Sequence, residues 1–419
     1  MPPGLEISRA SALALALLAC RAPAADDDGG PDATTADAPG DSTPDVSACA
    51  AGDAAPTLSI DLADWPTFTA ATAADWTSIA GVSSASVPAA PAGVVVAPDG
   101  AWVFAALQNE LAVMKRTGAS LALDHAFPNA AGETGFGVAM SRDGKTLATS
   151  TSDELALYDV AKAESNAPGA LLGTVSTQSA MKTSIDVAFS SDGLFAFVAL
   201  EYDSSVAVVD VTNRAYVGAI PIDGSAVTGV VVSPDGTRLY VTCEVANAFA
   251  AVNPKPATDQ VVGLLTVVDV AKAETAPATS VLGTAYVGRA PVRSAISPDG
   301  ATLWVTARGS DALLELDTAN LLSTTCNPLR SETAVGAAPV GVAVLDGGKA
   351  VAVANSNRFL EPNAPQTVMF VSASSPALLG QVTVGAFPRE IDADATALFV
   401  TNYDSQSVSG VDLTKLALP

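Results

Sequence analysis

Four arginines, Arg293, Arg308, Arg358 and Arg389, are the residues whose type and placement could do chemistry in this sequence. Bases are scarce, 20 Lys and Arg against 44 Asp and Glu, so arginines that converge on one place are conspicuous. A guanidinium is a planar fork of donors matched to carboxylate or phosphate oxygens. Arg293 and Arg308 could therefore grip an anion, with Arg358, Arg389 and Tyr403 nearby. Asp186, Glu201, Glu244 and Glu390 suggest two other uses. Glu244 and Glu390 could neutralise the arginines as an ion-pair set that locks the fold. Alternatively, Glu201 or Glu244, with Asp186 and an arginine, could activate water around a divalent cation, as a hydrolase would require.

The rest of the chemical inventory is mostly exclusion. A single histidine, His125, rules out a Cys-x-x-Cys-His haem attachment and a His-rich zinc or copper site, and leaves a Ser-His-Asp triad only if His125 is its base. His125 falls in a peripheral strand and reads as structural or exposed. Gly132 to Gly137 lacks the Lys and following helix of a phosphate loop. Asp26, Asp27 and Asp28 lack the spacing and Gly of a calcium loop. No catalytic set, metal site or cofactor is expected. The net charge of -24 repels phosphate backbones, which argues against nucleic acid as a partner.

The elements that must position these side chains come from a repeat. Ser-Pro-Asp-Gly occurs at 233–236 and 297–300, with weaker copies at 97–100, 141–144 and 190–193. Each joins two apolar, β-branched runs, as a hairpin turn should, because Pro presets φ and Gly accepts positive φ. A third run ends in an acid (Asp159, Asp210, Asp269, Asp317, Asp412), and a fourth closes with small residues. Four antiparallel strands recurring in this way make a propeller blade. Units begin near Pro91, Gly135, Ser184, Val227, Pro291, Pro339 and Pro388, which predicts an all-β, seven-bladed β-propeller. The last unit stops after its third strand, and Thr77 to Val82 is expected to supply the fourth and close the ring.

In this register one column, two residues into each inner strand, reads Gly93, Gly137, Asp186, Gly229, Arg293, Gly341 and Glu390. A second, just after the second strand, reads Gln108, Ser152, Glu201, Glu244, Arg308, Ser356 and Tyr403. Both face one mouth of the central channel, where long loops after Glu244 in blade 4 and after Asn355 in blade 6 could wall a pocket.

Leu239-Tyr240-Val241-Thr242, Leu303-Trp304-Val305-Thr306 and Leu398-Phe399-Val400-Thr401-Asn402 resemble the YVTN-repeat β-propellers of bacteria and archaea. The resemblance covers about residues 77–419 and implies the fold. For activity it implies only a range, from surface-layer and periplasmic proteins to lactonases and dehydrogenase subunits, since one fold hosts many functions.

The domain reading is a lipoprotein-type signal peptide at 1–19, an Asp/Ala/Gly/Pro/Thr-rich disordered tether at 20–56 and the propeller at 57–419. Leu17-Leu18-Ala19-Cys20 resembles a lipobox, with Cys20 as the lipidated residue, and the apolar run before it is too short to span a bilayer. The chain is thus expected to be exported, anchored to the cell envelope on the periplasmic or outer side, and monomeric. Cys243 and Cys326 fall at opposite ends of their strands, which makes a bridge between them geometrically poor, whereas Cys49 to Cys326 stays open. The leading functional expectation is a non-enzymatic binding or scaffold module for a protein, peptide, glycan or small anion. A lactonase-like hydrolase and an accessory subunit of a redox enzyme are the alternatives.

Overall fold

The computed structural model describes residues 71–130, 133–246, 262–323, 326–361 and 363–419. Its unit is the serine-aspartate turn. Ser233 Oγ donates to Asp235 and accepts the Arg238 N–H, while Gly236 takes φ +75° to reverse the chain. Ser141, Ser190 and Ser297 repeat both bonds. In blade 6 the turn becomes a single 3-10 turn, Asp346–Gly348. In blade 7 Asp394 caps the Thr396 and Ala397 N–H groups instead.

The acids that end the third strands have a local job too. Asp159, Asp210, Asp269, Asp317 and Asp412 each accept a backbone N–H two or three residues on. At all but Asp210 a single helical turn follows, and the acid is its N-cap.

Seven four-stranded antiparallel sheets result. The inner strands are Pro91–Val96, Gly135–Met140, Ser184–Phe189, Gly224–Val232, Pro291–Ile296, Pro339–Leu345 and Pro388–Ala393. Blade 4 begins three residues before the Val227 expected, because its first two strands, Gly224–Val232 and Arg238–Ala246, run nine residues instead of the usual six. Second strands such as Phe195–Leu200 are apolar on both sides because each side packs against a different neighbouring blade. Phe197 and Ala199 face blade 4, whereas Ala196, Val198 and Leu200 face blade 2. Seven apolar clusters follow, one at each junction between blades, including the junction of blades 7 and 1 through Phe399, Val408, Val94 and Val103. Small Ala and Val suit these thin layers, which agrees with an aromatic content of 5%.

The closing segment differs from expectation. Thr77–Ala80 is a helical turn stopped by Gly81 at φ +63°, and the strand that pairs with Ser407–Asp412 is Ser83–Ser86. Trp76 explains the shift: its ring fills the space above Gly380 of blade 6, 5.8 Å from the Phe370 ring. Its backbone N–H donates to Gln381 O at 2.7 Å. This segment therefore clasps blade 6 before the chain reaches blade 7.

Cys243 is free and buried, its thiol donating to Ser225 O at 2.8 Å, and Cys326 is disulfide-bonded. The expectations for Cys20, Cys49 and segments 1–19 and 20–56 lie outside the described residues.

Candidate functional site at the channel mouth

The first column falls on a β-bulge: in every blade the pairing of the inner with the second strand slips at this point. The bulge turns these residues toward the axis, where backbones crowd. A Cβ on Gly93 would stand 2.7 Å from Phe136 O, and one on Gly341 2.3 Å from Arg389 O. Blades 3, 5 and 7 carry Asp186, Arg293 and Glu390 there instead, so their side chains project inward.

The bulges are held by hydroxyls from the second strands. Thr306 Oγ1 accepts the Arg293 N–H at 3.1 Å and donates to Val340 O of blade 6 at 2.7 Å. Thr401 accepts the Glu390 N–H at 3.0 Å and donates to Ala92 O of blade 1, and Thr242 donates to Val292 O of blade 5. The threonine of each Tyr-Val-Thr-like string is thus a bolt between neighbouring blades, aligned with the first column.

Arg293 crosses the axis. Its Nε lies 2.7 Å from Glu390 Oε1 and 3.8 Å from Asp186 Oδ2, and its Nη1 donates to Thr228 O. Burial works against its charge, but Glu390 and Asp186 more than offset that and hold its pKa above the usual arginine value. Burial raises both carboxylates, since two acids share one guanidinium away from bulk water. Arg308 is paired with Glu244, both nearly inaccessible at 7% and 4%, and its guanidinium carbon lies 5.6 Å from the Phe359 ring centre. Of the four arginines, these two are neutralised inside the protein.

Arg358 and Arg389 are not. Among the described residues no carboxylate oxygen lies within 4.0 Å of either guanidinium. They rest instead on aromatic rings: Arg358 lies 5.6 Å from Phe387, and Arg389 lies 5.9 Å from Phe387 and 5.3 Å from Tyr403. Burial, then the repulsion of Arg308 and Arg389, pulls Arg358 down to about 10. Arg389 is lowered mainly by burial. Among the acids, Glu244 acts most on Arg358 and Glu390 most on Arg389, with Glu201 weaker on each. Burial and then Glu244 raise the Glu201 carboxyl, with Arg389, Arg308 and Arg358 pulling the other way. Burial and then Glu201 push the Tyr202 phenol up to about 12.

Tyr403 accepts from Gln108 Nε2 at 2.6 Å, tying blade 7 to blade 1 across the mouth. The prolonged strands of blade 4 rise beside it, with residues 247–261 of its loop outside the described set. The blade 6 loop, Ser356 to Gln366, carries Arg358 and is anchored where Gln366 Oε1 accepts the Phe387 N–H.

The nine residues singled out from the sequence are linked to one another by ion pairs, a ring contact or charge, with Arg293 and Arg308 paired to acids and Arg358 and Arg389 not. Phe387 was not singled out. Its left-handed φ of +54° is shared by Ala226, Ala290 and Ala338, which stand just ahead of Val227, Pro291 and Pro339. Phenylalanine before Pro388, where other blades place alanine, is the signal that would have found it. His125 sits at the rim, bonded through Nδ1 to Asp124 at 2.8 Å and through Nε2 to Ala163 O of blade 2 at 2.7 Å.

Solved structures share this architecture. A chain of Kuenenia stuttgartiensis hydrazine synthase superposes with a TM-score of 0.59 at 15% identity, over 79% of this chain and 96% of its own. The β-propeller domain of Cps50 (Swd1) from Myceliophteria thermophila gives 0.59 at 12% identity, over 78% and 97%. No protein-family model matches the sequence, and no curated protein matches it. These likenesses show the propeller fold.

Proposed function

We propose that this chain is a non-enzymatic binding module of YVTN-repeat type that takes an anionic ligand at the channel mouth. In this reading a lipid on Cys20 and the 20–56 tether hold it to the cell envelope. One observation carries the site: in a chain of net charge -24, Arg358 and Arg389 keep two positive charges with no carboxylate partner among the described residues. Leaving guanidinium charge partly desolvated is unfavourable unless a ligand compensates it, and stacking on Phe387 fixes both forks in advance. The wall of blade 4 and the loop of blade 6 stand on this face. The test is calorimetric titration of the full chain with small anions beside the Arg358→Ala/Arg389→Ala variant. Binding that the double variant abolishes without a fall in melting temperature supports the proposal, and a folded protein that binds no anion removes it.

Glu201 favours a second reading. A buried carboxyl whose pKa is raised by burial and by Glu244 is the kind of group a hydrolase uses as acid. Lactone hydrolysis, assayed with and without Ca²⁺ or Mg²⁺, should then fall on Glu201→Gln. No turnover under either condition discards it.

A further inference from the structure

We infer that the ligand is a monocarboxylate carried on a flat apolar body, aryl or acyl, and not a phosphate or sulfate. This rests on the anion-binding reading and specifies its chemistry. The first argument is charge. Arg308 is matched by Glu244, while Arg293 faces both Asp186 and Glu390, so the four arginines meet four acids in all, and Arg358 and Arg389 are the two left without a carboxylate contact. The mouth as a whole therefore carries no surplus positive charge, and the surplus at Arg358 and Arg389 is local and small. A dianion would meet net repulsion from Glu201, Glu244 and Glu390 once a single charge had been matched.

The second argument is the surface beside the charge. Both free guanidiniums flank one ring, Phe387, so a carboxylate bound between them brings the group it is attached to against that ring. The blade 6 loop continues this apolar surface with Phe359, 39% exposed, and Leu360, 78% exposed and itself left-handed at φ +57°. Exposed apolar residues beside stranded positive charge suit an amphiphilic acid, and a compact, fully hydrated inorganic anion would leave them unused.

The third argument is backbone strain. A left-handed φ disfavours a bulky residue, because its Cβ crowds the backbone. Three other blades accommodate the same conformation with alanine, so an aromatic ring in that slot in blade 7 is a local departure from the repeat. The departure supplies the floor on which Arg358 and Arg389 lie.

Two sources present this chemistry, a free aryl or acyl acid and the C-terminus of a peptide ending in an apolar residue. The experiment titrates the full chain with phenylacetate, acetate, inorganic phosphate, and a short peptide ending in Phe with its terminus either free or amidated. Phenylacetate is expected to bind about tenfold or more tighter than acetate or phosphate, since ring burial on an apolar floor is worth about 1.5 kcal/mol or more. Phe387→Ala should remove that advantage while residual acetate binding survives, and Arg358→Lys/Arg389→Lys should weaken every carboxylate by losing the forked geometry. A free-terminus peptide that binds tighter than phenylacetate, with the amidated one inactive, assigns the peptide source. Phosphate binding as tightly as phenylacetate, or equal binding of free and amidated peptide, overturns the ligand class. The first of these leaves the anion site standing, whereas absence of all binding to folded protein removes both.

Discussion

Asp392 and Asp186 reach across from one blade to the next and accept a backbone N–H from its inner strand: Val96 at 2.7 Å and Val230 at 3.0 Å. Burial raises Asp392 from 3.8 to about 6 against the pull of the Val96 and Ala393 N–H groups. A raised folded-state pKa means that its contribution to stability is complete below about pH 4 and is lost as pH climbs through about 6. Asparagine in place of the acid keeps an acceptor for Val96 and abolishes the ionisation. Asp392→Asn should therefore leave the melting temperature unchanged in mild acid and raise it at neutral pH by about 1 kcal/mol of stability, discounted for the half-exposed side chain. Thermal melts across that range check it, and an equal shift at every pH contradicts it. Arg293 gives the complementary case. Arg293→Ala strands Asp186 and Glu390 together, so stability should fall by about 3–5 kcal/mol at neutral pH and recover partly in acid as the two carboxylates protonate. Anion binding at Arg358 and Arg389 should persist, which calorimetry on the folded variant measures. The charged column was legible in the sequence because the repeat supplies a register in which Asp186, Arg293 and Glu390 stand out among glycines. Phe387 was not, since it stands one residue ahead of its inner strand and belongs to neither column.

At the scale of the element, each turn and each second strand carries its own fastening, and the recurring letters have individual reasons. Serine in Ser-Pro-Asp-Gly ties a carboxylate to a strand start, aspartate closing the third strand caps the turn that follows, and threonine bolts two blades. These functions are local, so composition and spacing reveal them. Ser297→Ala removes a donor to Asp299 and an acceptor for the Thr302 N–H at the buried base of a turn whose tip is exposed, and about 1 kcal/mol should be lost. Thr306→Val acts deeper. Its hydroxyl is fully buried between Arg293 and Val340, and removal leaves an N–H and a carbonyl without partners. The loss should be about 2–3 kcal/mol, readable as a lower denaturation midpoint at constant slope. A smaller loss for Thr306→Val than for Ser297→Ala would mean that the inter-blade bolt is not what holds the column in place.

Across the whole molecule, the ring is closed by a contact between residues far apart in the chain. Ser84 Oγ and Ser409 Oγ meet at 2.7 Å, 325 positions apart, and Ser409 Oγ also accepts from Asn402 Nδ2 at 2.8 Å. Asn402, the last letter of blade 7's Val-Thr-Asn, therefore reaches the closing strand through a polar relay. That strand was misplaced from the sequence because Ser83–Ser86 has no apolar run: it is half exposed and held by hydroxyls, including Ser83 Oγ on Ala119 O at 3.0 Å. The neighbouring Trp76, Ile79 and Val82 supply the apolar signal, and Trp76 and Val82, with Ala80, pack on the cluster of blades 6 and 7 while Ile79 stays exposed. Val87 N–H bonds Gln406 O at 2.9 Å, so by antiparallel alternation the Ala85 N–H faces its partner Val408. Ala85→Pro deletes that bond in the middle of a four-residue strand and, with it, the pairing that joins the ring. If closure is a cooperative property of the ring, the loss should exceed one hydrogen bond, at about 3 kcal/mol or more. Amide exchange should accelerate along Ser407–Asp412 and at the blade 7 to blade 1 cluster around Phe399, while blades 3 and 4 stay protected. Exchange that accelerates evenly around all seven blades would mean that the ring opens as one unit, and exchange unchanged near Phe399 would mean that the apolar junction holds blades 7 and 1 together without the strand.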